Sequence, residues 1–385
     1  MVVIKEVSAR SVLDSRNEST ILVTLKTNAG SFSASAPNGK SRGYYEAEPY
    51  KKNLSGDIET IKKFSDYFLE ESFEGFRDLK KIEDVTEGFI GANTLFALES
   101  ALLKAIAHEG KKEIWQLINP NAKKFPRLVG NCVGGGKHST SGKKPDFQEF
   151  LLVPKSKSVK ESQKENKIAK EETKIFLGKK DENFEGKKND EDAWETSLNE
   201  KEIFNILKNL KIPFGIDVAA SSFYGRKTYK YKNSPIKRTN EEQFSYICNI
   251  IENNNLFYIE DPFNEDDFES FSKLLKKFSD RLIVGDDLTV TNPVRLKKAI
   301  KTKSINAIIV KPNQCGSLLT VSEICEIAKK NNIKIVFSHR SGETEEAILA
   351  DLAFSFQADF FKCGITGKER EAKINRLIEI EENLR

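Results

Sequence analysis

Six short apolar runs, each of strand length, dominate the second half of the chain and are separated by segments of helical pattern. The runs are "IPFGID", "LFYIED", "RLIVGDD", "AIIVKPN", "KIVFSHRS" and "DFFKCG", and "VSEICEIAKKNN" is one of the helical segments between them. Strands that alternate with helices predict parallel βα units, and six or more in succession favour a closed barrel over an open sheet. An open doubly wound sheet remains an alternative, although no Gly-x-Gly-x-x-Gly follows a strand. The sequence therefore predicts an α/β protein built on a βα barrel.

The first part of the chain has a different pattern. The segments "STILVTLKT" and "SFSASA" flank the turn "NAG", where Gly30 can adopt a positive φ, so a β-hairpin is predicted. The segment "NTLFALESALLKAIAHEG" has apolar residues at helical spacing, with Asn93 as the predicted N-cap and Gly110 as the stop. We therefore expect an α+β domain over residues 1–125 and a barrel domain over residues 126–385. A lysine- and glutamate-rich stretch from about 155 to 202 predicts a solvated helix and a long loop.

Composition argues against several classes of partner. The net charge of +4 is spread along the chain, which gives no sign of a nucleic-acid partner. The five cysteines form no Cys-x-x-Cys pair, as expected for free thiols in a reducing compartment. The first apolar run is broken at Lys5, and no segment approaches the ~18 uninterrupted apolar residues of a membrane span. We expect a cytoplasmic protein with no membrane and no nucleic-acid partner.

Each of the six predicted strands ends on a polar or charged residue. These residues are Asp217, Glu260, Asp286, Lys311, His339 and Lys362. In a βα barrel the C-terminal strand ends converge on one face, where such folds keep their active sites. A single residue of this kind is better explained as a solvated strand end. The six together predict one shared active-site pocket.

Three carboxylates at one mouth predict a bound cation, because close like charges raise each other's pKa values. Oxygen ligands favour Mg²⁺, and no histidine or cysteine cluster indicates zinc. A nearby cation would lower the pKa of Lys311, and Lys362 would add to this effect. Lys311 is therefore the predicted general base.

The segment "SHRSGETEE" predicts an anion site. Arg340 and Ser341 precede a predicted helix whose first turn would carry Glu343, Glu345 and Glu346. An arginine, a hydroxyl and a helix N-terminus suit phosphate. The alternative is a capped helix with a surface arginine.

Motifs along nearly the whole chain resemble those of the enolase family, the phosphopyruvate hydratases of glycolysis and gluconeogenesis. They are "ARSVLDSR", "GKSRGYYEA", "FQEFLLVP", "GIDVAASSFY", "YIEDPFNEDD", "GDDLTVTNP", "VKPNQCGSL" and "SHRSGETEEAILADLA". The resemblance implies an enolase-type βα barrel with an α+β N-terminal capping domain, and a homodimer or higher homo-oligomer. It also implies reversible dehydration of the small phosphorylated substrate 2-phosphoglycerate to phosphoenolpyruvate, with two Mg²⁺ ions per active site.

The resemblance also implies a role for each matching residue. Asp217, Glu260 and Asp286 resemble the ligands of the first Mg²⁺, and Ser41 resembles the loop ligand of the second. Lys311 resembles the base that removes the C2 proton, and Glu191 resembles the general acid, assisted by Glu149. The implied substrate contacts are His138, His339, Arg340, Ser341 and Lys362.

The mobile loops depart from the family pattern. The loop at residues 38–43 reads "NGKSRG" and adds Lys40 and Arg42, the tetrad "NDED" lacks the family's glycines, and the loop carrying His138 is longer than usual. Two alternatives therefore stay open beside an active enolase. One is an enolase-like lyase acting on a related phosphorylated or hydroxy acid, and the other is a non-catalytic enolase-like binding or scaffold protein.

Overall fold

A four-stranded sheet opens the chain. The computed structural model describes residues 1–40, 42–68 and 71–384. The sheet has the order β3-β2-β1-β4, and its pairs are antiparallel. Its strands are β1 (Val2–Leu13), β2 (Ser19–Thr27), β3 (Gly30–Ser35) and β4 (Ser72–Phe73). The predicted hairpin is confirmed as β2 and β3, and Gly30 adopts φ +134° at its turn.

Five helices accompany this sheet. They are α1 (Leu54–Lys63), α2 (Ser65–Phe68), α3 (Leu79–Thr86), α4 (Ala92–Glu109) and α5 (Ile114–Ile118). Helix α4 is the predicted amphipathic helix, and it ends at Gly110 as expected. Its N-cap, however, is Gly91 and not Asn93. A Cβ atom at position 91 would lie 2.3 Å from the Tyr50 Cα, so close backbone packing requires glycine there, and Asn93 falls within the first turn.

Eight strands close into a barrel in the rest of the chain. They are β5 (Arg127–Gly134), β6 (Glu149–Leu152), β8 (Phe214–Asp217), β12 (Tyr258–Glu260), β13 (Leu282–Gly285), β14 (Ala307–Val310), β15 (Lys334–Ser338) and β16 (Phe360–Gly364). Strand β6 is antiparallel to both β5 and β8, the later neighbours are parallel, and β16 pairs with β5 to complete the ring. The six predicted strands are the last six of the eight. Strands β5 and β6 lie before the regular alternation and were not singled out from the sequence.

The remaining elements surround the barrel. The helices are α6 (Val159–Lys180), α7 (Glu200–Leu207), α8 (Asn240–Asn254), α9 (Phe268–Lys277), α10 (Pro293–Lys301), α11 (Leu318–Lys330), α12 (Ile348–Ser355) and α13 (Lys368–Asn383). The short strands are β7 (Trp194–Glu195), β9 (Tyr224–Gly225), β10 (Thr228–Lys230) and β11 (Lys237–Arg238). Among the described residues, no helix combines the length and the apolar character needed to cross a membrane.

Buried side chains alternate between two hydrophobic clusters along the barrel strands. Alternate strand residues such as Tyr258, Val284 and Ile309 form a compact cluster separate from the main core. Their neighbours Ile283 and Ile308 belong to the larger cluster, which also contains helix residues. Because successive side chains of a strand point to opposite faces, the separate cluster fills the barrel interior.

Candidate active site at the barrel mouth

The alternation of inward- and outward-facing side chains along the strands also determines where the predicted site residues lie. Lys311 follows Ile309 by two positions, Asp286 follows Val284, and Glu260 follows Tyr258, so all three continue the inward-facing rows at the C-terminal ends of their strands. Members of the four strands β6, β8, β15 and β16, together with loop residues, line one cavity at this end. Among the predicted residues they are His138, Glu149, Glu191, Asp217, Asp286, Lys311, His339, Arg340, Ser341 and Lys362. Glu260 lies just below, in contact with Lys362.

Lys362 is the cation at the centre of this cavity. Its Nζ lies 3.0 Å from Asp217 Oδ2, 2.9 Å from Glu260 Oε1 and 3.2 Å from Glu149 Oε1, and all four side chains are buried. Burial alone would lower the pKa of Lys362, but the surrounding carboxylates, Asp217 foremost, raise it well above its usual value. Lys362 is thus a permanent ammonium. It lies two residues before the end of β16, and not at the strand end that the sequence suggested.

Glu260 is held in its protonated form more readily than an ordinary glutamate. Burial, followed by the charge of Asp217, raises its pKa to about 8, although Lys362 acts in the opposite direction. The Tyr258 hydroxyl donates a 2.6 Å hydrogen bond to Glu260 Oε2. The mouth therefore carries more carboxylates than its two lysines neutralise.

Lys311 forms an ion pair with Asp286. Burial would lower the pKa of Lys311, but the adjacent Asp286 carboxylate outweighs it and raises the pKa. The same carboxylate accepts a 3.2 Å hydrogen bond from Gln314 Nε2. The side chains by themselves therefore keep Lys311 protonated, in contrast to the lowering by a cation that the sequence analysis expected.

Glu191 lies across the cavity with Glu149 and two histidines. Asn131 Nδ2 donates to Glu191 Oε2 at 2.8 Å, and one ring nitrogen each of His138 and His339 lies 3.8 and 3.7 Å from the carboxylate. Burial raises the pKa of Glu191, but interactions with His138, His339 and Lys362 outweigh it, so the net shift is downward. Burial, followed by the charge of Glu191, raises the pKa of Glu149 well above its usual value. The two directions favour a proton on Glu149 and a charge on Glu191.

Arg340 and Ser341 lie at one side of the mouth, but not before a helix N-terminus. Helix α12 begins at Ile348, so the helix start predicted directly after Ser341 is wrong. The reason is that Glu343 turns back and accepts the Arg340 backbone N–H at 2.8 Å, while Gly342 pairs with Asn38 of the N-terminal region. The Arg340 guanidinium lies 3.0 Å from Glu46 Oε2, and both groups are buried.

Several cavity residues were missed by the sequence analysis. Asp261 accepts the backbone N–H groups of Asp286 and Asp287 at 3.1 and 2.6 Å, and one oxygen of each of the three carboxylates lies within 4.8 Å of the others. The signal for them was the doubled acids of "IEDP" and "VGDD", where only the first member was singled out. Ser41, the predicted loop ligand, lies outside the described residues.

The donor set fits a hard divalent cation. The residues at the mouth offer carboxylate oxygens, and Glu149 Oε2 is buried without a hydrogen-bond partner among the described residues. An unsatisfied buried carboxylate oxygen is costly unless a cation or proton meets it. Carboxylates are the ligands that Mg²⁺ and Ca²⁺ select.

The protein contains an eight-stranded βα barrel, and acidic residues and two lysines converge at its C-terminal mouth. These features define the class of barrel enzymes that bind a small anionic substrate. Comparison with known sequences agrees with this class. Residues 122–385 match the family described as "Enolase, C-terminal TIM barrel domain". The enolase of Picrophilus torridus is 35% identical over 399 residues, covering 99% of each chain, and that of Natronomonas pharaonis is 36% identical over 403 residues, covering 100% of each. The enolase of Archaeoglobus fulgidus is 35% identical over 400 residues, covering 99% of this chain and 97% of its own.

The chain belongs to the enolase family. The predicted resemblance, the predicted fold class and the assignment to the lyases are thereby confirmed.

Proposed function

We propose that this protein catalyses the reversible, Mg²⁺-dependent dehydration of 2-phosphoglycerate to phosphoenolpyruvate. The observation that carries the proposal is the convergence of Lys311, Lys362 and Glu191 in one buried cavity with the carboxylates of three adjacent barrel strands. The reaction removes a proton from the carbon next to the carboxylate, which requires a base and positive charge at the carboxylate. It also expels a hydroxyl from the following carbon, which requires an acid. The cavity offers all three.

Lys311 is proposed as the base that takes the C2 proton. It must be neutral to accept a proton, whereas the charge of Asp286 keeps it protonated. If Asp286 is engaged by a cation, this restraint is relieved and the neutral amine becomes accessible. A divalent ion held by Asp217, Glu260 and Asp286, with Ser41 as the proposed ligand of a second, would supply positive charge beside the substrate carboxylate.

Lys362 and Arg340 are proposed to hold the two ends of the substrate. Lys362 keeps its charge and faces the position where negative charge accumulates on the carboxylate, so it stabilises the transition state more than the substrate. Arg340 and Ser341 are the proposed phosphate contacts, because a guanidinium fork matches phosphate oxygens. His138 and His339 also line the cavity and are proposed as further substrate contacts.

Glu191 and Glu149 are proposed to share the acid role. A departing hydroxyl must receive a proton, and the raised pKa of Glu149 and lowered pKa of Glu191 support a proton on Glu149 and a charge on Glu191. Close carboxyl groups titrate as a pair, so we assign one shared proton to the two and delivery to the hydroxyl through Glu191.

The deciding experiment follows the ultraviolet absorbance of phosphoenolpyruvate after purified protein meets 2-phosphoglycerate, first with Mg²⁺ and then with a chelator. Lys311→Ala should reduce turnover by at least about 10²-fold, the lower end of general-base contributions. Lys301→Ala, which removes an exposed lysine from α10, is the matched control and should retain activity. Absence of turnover in folded, Mg²⁺-loaded protein would refute the proposed reaction, and full activity in Lys311→Ala would refute the role of Lys311.

The same proposal includes the division of the chain at residue 125, a cytoplasmic location and a homodimer or larger assembly. The start of the family match at residue 122 supports the division, and five free cysteines suit a reducing compartment. A solution mass equal to one chain would contradict the assembly.

A further inference from the structure

A second cavity lies beside the barrel mouth and shares no lining residue with the first. Its walls come from the loop at residues 136–146, which also carries His138, and from the segment 222–233 around β10. Its volume of about 420 Å³ falls within the range of pockets that hold small molecules, roughly 300–1,000 Å³. The cavity therefore has room for a ligand of its own.

The lining of this cavity is strongly basic. It contains five lysines, Lys137, Lys143, Lys144, Lys230 and Lys232, and Asp146 is its one acid. The whole chain balances 62 basic against 58 acidic residues, so this ratio is a local concentration of positive charge. Many lysines of this protein have acidic partners. Across residues 1–40, 42–68 and 71–384, however, no ion pair involves any of these five.

Asp146 offsets only one of these positive charges, and its carboxylate also has a structural role. One oxygen accepts the Lys232 backbone N–H at 2.8 Å and the other accepts the Asn233 backbone N–H at 2.9 Å. These bonds fix the segment that carries Lys232 against the loop that carries Lys144. The aspartate thus builds the cavity, and its single charge is too small to neutralise the five ammonium groups.

Lys144 connects the second cavity to the rim of the first. It is half-buried, and its ammonium donates to the Ser139 carbonyl. Burial lowers its pKa, and the charges of Lys40 and Lys232 add to this effect while Glu195 opposes it. Lys40 follows Gly39, which lines the catalytic cavity, so Lys144 experiences like charges from two other segments of the chain. An anion placed among them would relieve that repulsion.

We propose that this cavity is a second anion site, which binds a small organic polyanion carrying two or more phosphate groups. Lysine ammonium groups bind phosphate as point charges, and five of them around one cavity exceed what a single phosphate can neutralise. Phe223 and Pro145 give the wall an apolar portion suited to an organic moiety. The proposal does not depend on the reaction catalysed at the barrel mouth.

The test measures binding and not activity. Tripolyphosphate is titrated calorimetrically into the full chain with a chelator present, at about 0.1 M salt, where the Debye length is about 10 Å. We expect one site, and we expect Lys143→Gln/Lys232→Gln to weaken it at least about tenfold, since two charged contacts are lost. Both lysines are exposed, so the double variant should keep the melting temperature of the parent.

The matched control is Lys5→Gln/Lys301→Gln, which removes the same charge from two exposed lysines outside the cavity. Its affinity should stay within about twofold of the parent, since distant exposed charges are screened by salt. Equal weakening in both double variants would reduce the effect to net charge and overturn the proposal. Binding that survives Lys143→Gln/Lys232→Gln but is lost in Arg340→Ala would place the anion in the catalytic cavity and overturn it as well.

Discussion

The Lys170 ammonium lies 3.0 Å from Asp192 Oδ2 and joins helix α6 to the loop that carries Glu191. Lys170 is 1% exposed, and it also donates to the Asp192 carbonyl and the Thr366 hydroxyl. Asp192 adopts φ +64°, a left-handed conformation that costs a non-glycine residue energy. The lysine therefore compensates for an aspartate at a position where the family pattern has glycine.

Replacing Lys170 with methionine should destabilise the protein by about 1–3 kcal/mol, because the Asp192 carboxylate and carbonyl lose charged hydrogen bonds, although Lys188 remains 3.0 Å from the carboxylate. The free energy of unfolding from urea titration measures this. Lys167→Met is the matched control, since Lys167 lies one turn earlier on the same helix and pairs with Glu371 at the surface, a contact worth about 1 kcal/mol or less. Similar losses in the two variants would contradict a special role for Lys170.

The same lysine shows where sequence reasoning ends. The barrel and its strand-end residues were predictable because alternation and strand length depend on local pattern, and Asp217, Lys311 and Arg340 all reach one cavity. Lys170 belongs to a lysine-rich stretch that predicts a solvated helix. Its burial depends on contacts with residues far along the chain, such as Thr366, and no local pattern encodes them. Glu46 was missed for the same reason, since its neighbours are set by the contact between the N-terminal loops and the barrel.

Glu99 should make stability depend on pH. This fully buried carboxyl group of α4 accepts the Leu318 backbone N–H at 2.7 Å. Burial raises its pKa well above the usual value, so the folded state binds a proton that the unfolded state has lost above about pH 4.3. Its stabilising contribution is complete below that pH and declines as the pH rises towards the folded-state pKa.

Glu99→Gln keeps the shape of the neutral acid and should remove this dependence. The difference between the free energy of unfolding of Glu99→Gln and that of the parent should increase with pH. The increase should reach up to about 1.4 kcal/mol per pH unit from pH 5 to 8. Glu59→Gln, at an exposed position of α1, should show no such trend. Parallel stability curves for parent and Glu99→Gln would show that Glu99 ionises normally.

Glu46 should compete with an anion for Arg340. Its carboxylate lies 3.0 Å from the guanidinium, and both side chains are buried, so a substrate phosphate would share the arginine with a negative charge. Glu46→Gln removes that charge and keeps an oxygen that can accept the hydrogen bond. We expect the KM for 2-phosphoglycerate to fall by about fivefold, which corresponds to ~1 kcal/mol.

Glu48→Gln controls for this experiment, because Glu48 is an exposed neighbour that pairs with Arg42 at 3.0 Å. It should change KM by less than twofold, since exposed ion pairs contribute little. A rise of KM in Glu46→Gln would show instead that Glu46 orients Arg340 for binding.

Lys362→Met should make stability dependent on a divalent cation. Removing this ammonium leaves Asp217, Glu260 and Glu149 facing one another without the charge that lies within 3.2 Å of all three. With a chelator present the variant should lose about 3–5 kcal/mol of stability. Excess Mg²⁺ should restore more of this loss than it adds to the parent, because an ion bound only by the folded state stabilises it.

The control is Lys373→Met. The Lys373 ammonium lies 2.7 Å from Glu343 Oε2 in an equally buried pair, and neither residue lines the catalytic cavity. That variant should lose comparable stability and gain no more from Mg²⁺ than the parent does, and equal rescue of both variants would contradict a cation site among the Lys362 carboxylates.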